Sequence, residues 1–211
     1  MSDEQTRALL SEITRKADML VGLLAQSPPG AEGGGSSDAG GAMLSAIGAL
    51  SQLLDEAPLC EQIVRGGLEL TGADRGFVML LEGRGKLRFK AGIGVSQEDL
   101  MGGDFDGSRS VIKEVVTGGE AVLRGSGANQ GSVTDSMSRT KVQTVICVPL
   151  PVGRRKQRCA GSVKVAGILY VDSRSVKTLL DQPELDRLTT YAGHCTWALE
   201  NAWLYSDARG F

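Results

Sequence analysis

The chain has 211 residues, a formal net charge of −2 and only 4% aromatic residues. That length suits one domain with appendages and a real core, and the weakly acidic, aromatic-poor composition argues against nucleic acid as a partner. No apolar run approaches the roughly 20 residues needed to cross a bilayer, so no membrane partner is expected. The charged opening MSDEQTRALLSE is unlike a secretion signal, so a cytoplasmic location is.

Residues 3 to 26 read as an amphipathic helix. Leu10, Ile13, Ala17, Leu20 and Leu24 recur in alternating steps of three and four, a heptad seam. Two readings stay open: a bundle or homodimer helix, and a surface helix packed on its own domain. Residues 27 to 41, SPPGAEGGGSSDAGG, carry no apolar side chain larger than alanine and read as a flexible linker. The expected organisation is therefore a helix over 1–26, a linker over 27–41 and one domain over 42–211.

From Ala42 a helical pattern runs through Met43, Ile47, Leu50 and Leu54, with Pro58 as the expected break. A further helix spans Leu59 to Leu70 and stops at Thr71-Gly72. The run Gly76 to Leu81 suits a strand covered on both faces. After turn residues 82–85, Lys86 to Ala91 alternates, with Leu87, Phe89 and Ala91 facing one way and Lys86, Arg88 and Lys90 the other. A single helical turn is expected at 96–100, then a short helix to Val116 capped by Ser108 or Ser110. Glu120 to Leu123 is a brief strand, and 124–138 a polar loop.

Two apolar runs, TVICVPLPV (144–152) and VAGILYVDSR (165–174), flank the basic segment GRRKQRCAGS and predict an antiparallel pair. The last helix runs from about Pro183 to Asp207, with Asp181 as its cap. Its heptad-spaced seam is Leu185, Leu188, Ala192, Cys195, Leu199 and Ala202, leaving Trp197, Trp203 and Tyr205 off the seam to pack on the sheet. Closely connected strands rule out repeated parallel crossovers. The expected class is α+β, an antiparallel sheet of five to six strands flanked by helices, with a separate N-terminal helix.

The blocks LELTGADRGFVMLLEGRGKLRFKAG, SRSVIKEVVTGGEAVLRG, VQTVICVPL, GILYVDSR and LTTYAGHCTWALENAWLY, in this order over about Pro58 to Tyr205, together resemble a GAF domain (a GAF/PAS-like fold). The nearest flavour is that found ahead of output domains in bacterial sensory kinases and sigma-54-dependent regulators. The resemblance implies a non-enzymatic sensory or regulatory module, dimeric through terminal helices. The seam residues Leu10, Ile13, Leu20, Leu24, Leu185, Leu188, Ala192 and Leu199 are then the expected homodimer interface. A signalling partner protein in trans is a further expectation, because such modules usually feed an output domain.

Catalytic chemistry is scarce. His194 is the only histidine, lies mid-helix, and reads as a packed or surface residue. Cys60, Cys147, Cys159 and Cys195 form no C-x-x-C pair, so free thiols are expected and no metal site is. A thiol redox enzyme using Cys147 is the weaker alternative. The segment GSGANQG (125–131) fits no phosphate-loop pattern, and the signatures by which family members hold cyclic nucleotides, bilins or haem are missing, so no cofactor is expected. By analogy with the fold, a small molecule of unknown identity would lie between one sheet face and the segments 92–118 and 124–142. Phe89 would be an apolar wall, with Ser108, Arg109, Ser110, Thr134, Asp135 and Tyr170 as directed polar groups. A scaffold with a degenerate pocket is the other reading of the same residues.

Overall fold

A computed structural model describes residues 36–82, 86–101, 106–125, 142–151, 165–175 and 179–210, with side chains omitted at 36–39, 101 and 106–108. The chain divides into two units, Met1–Ser36 and Ser37–Phe211, and the sheet belongs to the second. The segment expected to form an N-terminal helix, with Leu10, Ile13, Leu20 and Leu24, lies outside the described residues, as do Thr134, Asp135 and Cys159.

In chain order the elements are α1 (Ser36–Ser51), α2 (Glu56–Thr71), β1 (Arg75–Glu82), β2 (Lys86–Ile93), α3 (Gln97–Met101), α4 (Asp106–Gly118), β3 (Val122–Gly125), β4 (Thr144–Pro151), β5 (Val165–Ser173) and α5 (Gln182–Arg209). The strands form one sheet in the order β2-β1-β5-β4-β3, antiparallel at every pairing. The α+β class is therefore as expected, with five strands among the described residues. β5 occupies the centre and is buried along its whole length, which is why its sequence runs apolar without alternation.

Two cores lie on opposite faces of the sheet. On one, Leu50, Leu59, Ile63, Val78, Leu80, Ile146, Leu169, Leu188 and Leu199 pack the sheet against α1, α2 and α5. On the other, Phe77, Val111, Val115, Val145, Cys147, Ile168 and Tyr170 pack it against α4. Gly66 of α2 makes the close approach to α5, since a Cβ there would stand 2.8 Å from Cζ of Tyr191. Gly167 does the same within the sheet, where a Cβ would lie 2.8 Å from Cδ2 of Leu80. Among the described residues β3 pairs with β4 over Thr144 to Cys147 only, so Pro149 and Pro151 sit beyond that pairing, where one side of β4 has no strand partner.

Several boundaries differ from the sequence reading. α1 begins at Ser36, so residues 36–41 of the expected linker are helical. Pro58 does not break a helix but lies in the first turn of α2, behind the N-cap Asp55, where its lost N–H is tolerated. α2 ends as predicted, at Gly72 in the left-handed region with its N–H on the Leu68 carbonyl. Ser108 and Ser110 are inside α4 and do not cap it. At α3, Ser96 and Asp99 exchange hydrogen bonds, Ser96 N–H to Asp99 Oδ2 at 2.7 Å and Asp99 N–H to Ser96 Oγ at 3.2 Å, a reciprocal cap that sustains one short turn. α5 starts at its predicted cap, where the Asp181 N–H donates to Glu184 Oε2.

The larger correction concerns α5. Leu188, Ala192, Cys195, Leu199 and Ala202 are buried in the core of their own protomer, with Leu185 packed against it. The heptad seam is thus an intramolecular face, and Leu188, Ala192 and Leu199 are not available to a second copy. Trp197, expected against the sheet, is 59% exposed, and Leu204 is 52% exposed on the same outward strip.

Candidate functional site

The alternation of β2 is interrupted once. Val78 pairs with Ala91 but Met79 pairs with Phe89, leaving Lys90 as an extra residue, a β-bulge. The bulge reverses the parity of the strand. Leu87 and Phe89 face the α4 side, whereas Ala91 and Ile93 join the core under α2 and α5. The expectation that Ala91 shares a face with Leu87 and Phe89 is corrected accordingly.

On the α4 side of β2 the two layers do not close. A hollow of about 690 Å³ is lined by Met79, Leu87 and Phe89 from the sheet, Leu100 from α3, and Arg109, Ile112, Lys113 and Val116 from α4, with Glu82, Arg88 and Lys90 at the strand edge. Helical spacing explains the α4 contribution. Val111 and Val115 point into the core, and Ile112 and Val116, one position on, point into the hollow. Arg109 Nη2 donates to the Leu100 carbonyl at 2.9 Å, tying α4 to α3 across its mouth.

Of the residues expected to hold a ligand, Phe89 and Arg109 line this hollow. Ser110 is exposed on α4 and does not line it. Ser108 falls in α4 without a described side chain. Tyr170 is buried and stacked on Phe77 with ring centroids 4.6 Å apart. That stack fills the centre of the sheet face, so the open space is displaced toward β2. Met79, Leu87, Leu100, Ile112, Lys113 and Val116 were missed. The signals were present in the alternation of β2 and in the paired Val-Ile and Val-Val steps of α4, but which face stays unfilled is a tertiary property.

Lys90 links the hollow to the opposite face. Its Nζ donates to Glu56 Oε1 at 2.6 Å, at the start of α2, and is also bonded to Glu82. The second oxygen of Glu56 accepts from Trp203 Nε1 of α5 at 2.6 Å. Burial alone would lower the Lys90 ammonium, but the bonds to the two carboxylates outweigh it and hold its pKa above the ordinary value.

A second charged pair is buried where β1 meets β5. Arg75 Nε donates to Asp172 Oδ1 at 2.7 Å, with side-chain exposures of 8% and 0%. Burial raises the Asp172 carboxyl against the opposing pull of Arg75. The thiols of Cys60, Cys147 and Cys195 are buried, and burial pushes that of Cys60 up to about 12 and raises the other two. Such thiols are small hydrophobes rather than nucleophiles. Among the described residues no group of three or more His, Cys, Asp or Glu could hold a metal ion, and no helix is long and apolar enough to cross a membrane.

No family model and no curated protein matches the chain. Solved structures do. The GAF domain of the Acinetobacter phosphoenolpyruvate-protein phosphotransferase is similar over 78% of this chain and 93% of that one, at 14% identity and a TM-score of 0.54. The GAF domain of the cyanobacteriochrome TePixJ is similar over 74% of this chain and 95% of that one, at 18% identity and a TM-score of 0.50. The chain has the GAF fold. The same fold also serves an enzyme: the free methionine-R-sulfoxide reductase of Neisseria meningitidis is similar over 85% of this chain and 98% of that one, at 12% identity and a TM-score of 0.57. At such identities the likeness speaks for architecture, and the role of this chain has to come from its own residues.

Proposed function

We propose that this GAF domain is a non-enzymatic cytoplasmic regulatory module. It takes a small molecule into the hollow between β2, α3 and α4 and passes occupancy to α5, whose outward strip meets a second copy of the chain or a partner protein. One observation carries the reading. Lys90, a residue of the hollow, shares a single carboxylate, Glu56, with Trp203 of the C-terminal helix. A ligand that moves the bulged strand has a short, hydrogen-bonded route to α5. The buried thiols support the non-enzymatic half of the reading.

The test uses the two tryptophans of the chain. In Trp197→Phe, emission reports Trp203 alone. Nucleotides, amino acids and organic acids are screened by thermal shift, where saturating binding stabilises by RT ln(1 + [L]/Kd). A compound that raises the Tm and also shifts Trp203 emission is the expected result. Compounds that raise the Tm without touching the emission would remove the coupling. A screen with no stabilising compound would leave a scaffold with an idle hollow.

A further inference from the structure

On the reading that the hollow is the ligand site, its lining narrows the class of its occupant. The charged side chains at its margin are, but for one, engaged within the fold. Lys90 is held by Glu56 at 2.6 Å and by Glu82. Arg88 lies 4.0 Å from the same Glu82, and Arg109 is tied to the Leu100 carbonyl. Lys113 is exposed and keeps its charge in water. A ligand charge brought onto the apolar floor would lose its hydration, and an anion that drew Lys90 to itself would have to take it from Glu56. The surface left for a ligand to cover is therefore apolar.

One wall of it is aromatic, in a chain with only 4% aromatic residues. Tyr170 of β5, Phe77 of β1 and Phe89 of β2 stand in a row across the sheet. The first pair is stacked with centroids 4.6 Å apart, and the second is tilted at 6.2 Å. The row ends at Phe89, in the lining of the hollow. Gly92 lets that ring lie down along the strand, because a Cβ there would stand 2.8 Å from Phe89 Cζ. A side chain at position 92 would lift the ring, so Gly92 makes Phe89 a wall of the space and not its plug.

We infer that the hollow takes a neutral aromatic small molecule. One ring would lie against Phe89 and continue the row, with the remaining apolar surface on Leu100 and Ile112. Ring pairs at such separations add stabilisation beyond the area they bury. A saturated molecule of the same size would cover the floor and forgo the ring contact. The same aromatic body carrying an anion would gain little from cations already engaged.

The neutral fluorescent probe N-phenylnaphthylamine is titrated against the full chain and against Lys113→Glu, Phe89→Leu and Ile112→Trp, with Val116→Trp in place of the last if its Tm falls. Anilinonaphthalene sulfonate supplies the same body with a negative charge. The pair 1-naphthol and decahydro-1-naphthol, aromatic and saturated, then competes for the place of the amine. The amine is expected to bind at least as tightly as the sulfonate, to ignore Lys113→Glu, and to be lost when Trp fills the floor. The naphthol should displace it at a concentration about threefold or more below that of the saturated alcohol, and Phe89→Leu should erase that preference. A sulfonate bound about tenfold tighter than the amine, and brought back to its level by Lys113→Glu, would overturn the neutral class and keep the hollow as a ligand site. A naphthol preference unchanged in Phe89→Leu would overturn the ring seat, and failure of both fluorescent probes to bind would overturn the aromatic class. Amine binding that survives the Trp substitutions would overturn the hollow itself.

Discussion

Asp74 precedes the first strand but acts at the end of the last. Its Oδ2 accepts from the Arg174 N–H at 2.7 Å, the Ser175 N–H at 3.2 Å and Ser173 Oγ at 3.0 Å, fixing the exit of β5 beside the entry of β1. The Arg174 N–H foremost holds its carboxyl below the ordinary range; burial opposes this, and the Ser173 hydroxyl and the Ser175 N–H add to the lowering. A carboxyl with a folded-state pKa below its unfolded value of about 3.9 stabilises the native state above that value. The contribution is lost as pH falls through the folded-state pKa. Asp74→Asn should therefore melt below the parent at pH 6, with the gap closing as pH drops below about 4. Melting curves from pH 2 to 7 check this, and a gap that stays constant with pH would assign the loss to something other than the charge. Nothing in the local sequence GADRG marks Asp74 as more than a turn residue, because its partners lie a hundred positions away.

At the scale of elements, α5 shows where heptad spacing misleads. Both of its faces carry apolar side chains. Leu188, Cys195 and Leu199 lie on one, and Trp197 and Leu204, seven residues apart, on the other, beside Gly193, which has open space where a side chain would be. The spacing of three and four describes any stripe along a helix, and cannot say whether the stripe meets the sheet or a second chain. The two faces should respond differently to substitution. Leu199→Ala leaves a void in the core and should cost about 2–5 kcal/mol of unfolding free energy, independent of protein concentration, by denaturant titration. Trp197→Glu should leave that free energy nearly unchanged and shift the solution mass, measured by light scattering, toward the monomer. A mass unaffected by Trp197→Glu would take the outward strip out of any self-association. β2 teaches a related lesson. Its alternation was legible from Lys86 to Phe89 and failed at Lys90, because a bulge depends on the register of the partner strand.

At the scale of the molecule, a sheet with helices on both faces separates a ligand-sized hollow from the terminal helix by one strand thickness. Lys90 reaches from the hollow to one oxygen of Glu56, whose other oxygen accepts from Trp203 of α5. Glu56→Ala removes both hydrogen bonds at a half-buried position and leaves the floor of the hollow intact. In the Trp197→Phe background it should keep the thermal shift given by a bound compound while reducing the Trp203 emission response by at least half. An unchanged response would show that occupancy reaches α5, if at all, by another path. Coupling between layers in this way needs no long-range wire, only a strand whose bulge residue belongs to both faces.

The sequence by itself determined the α+β class, the strand pairs β1–β2 and β4–β5, the caps at Gly72 and Asp181, and the likeness to GAF domains. These depend on local periodicity, turn residues and chain connectivity, which are written in neighbouring positions. Only the tertiary structure decided that Tyr170 fills the middle of the sheet face against Phe77, that the hollow lies instead beside β2, that the α5 seam packs inward, and that Lys90, Glu56 and Trp203 converge. Each of those depends on which side chains occupy a shared volume, and residues 34 and 147 positions apart in the chain meet there only once the sheet has closed on its helices.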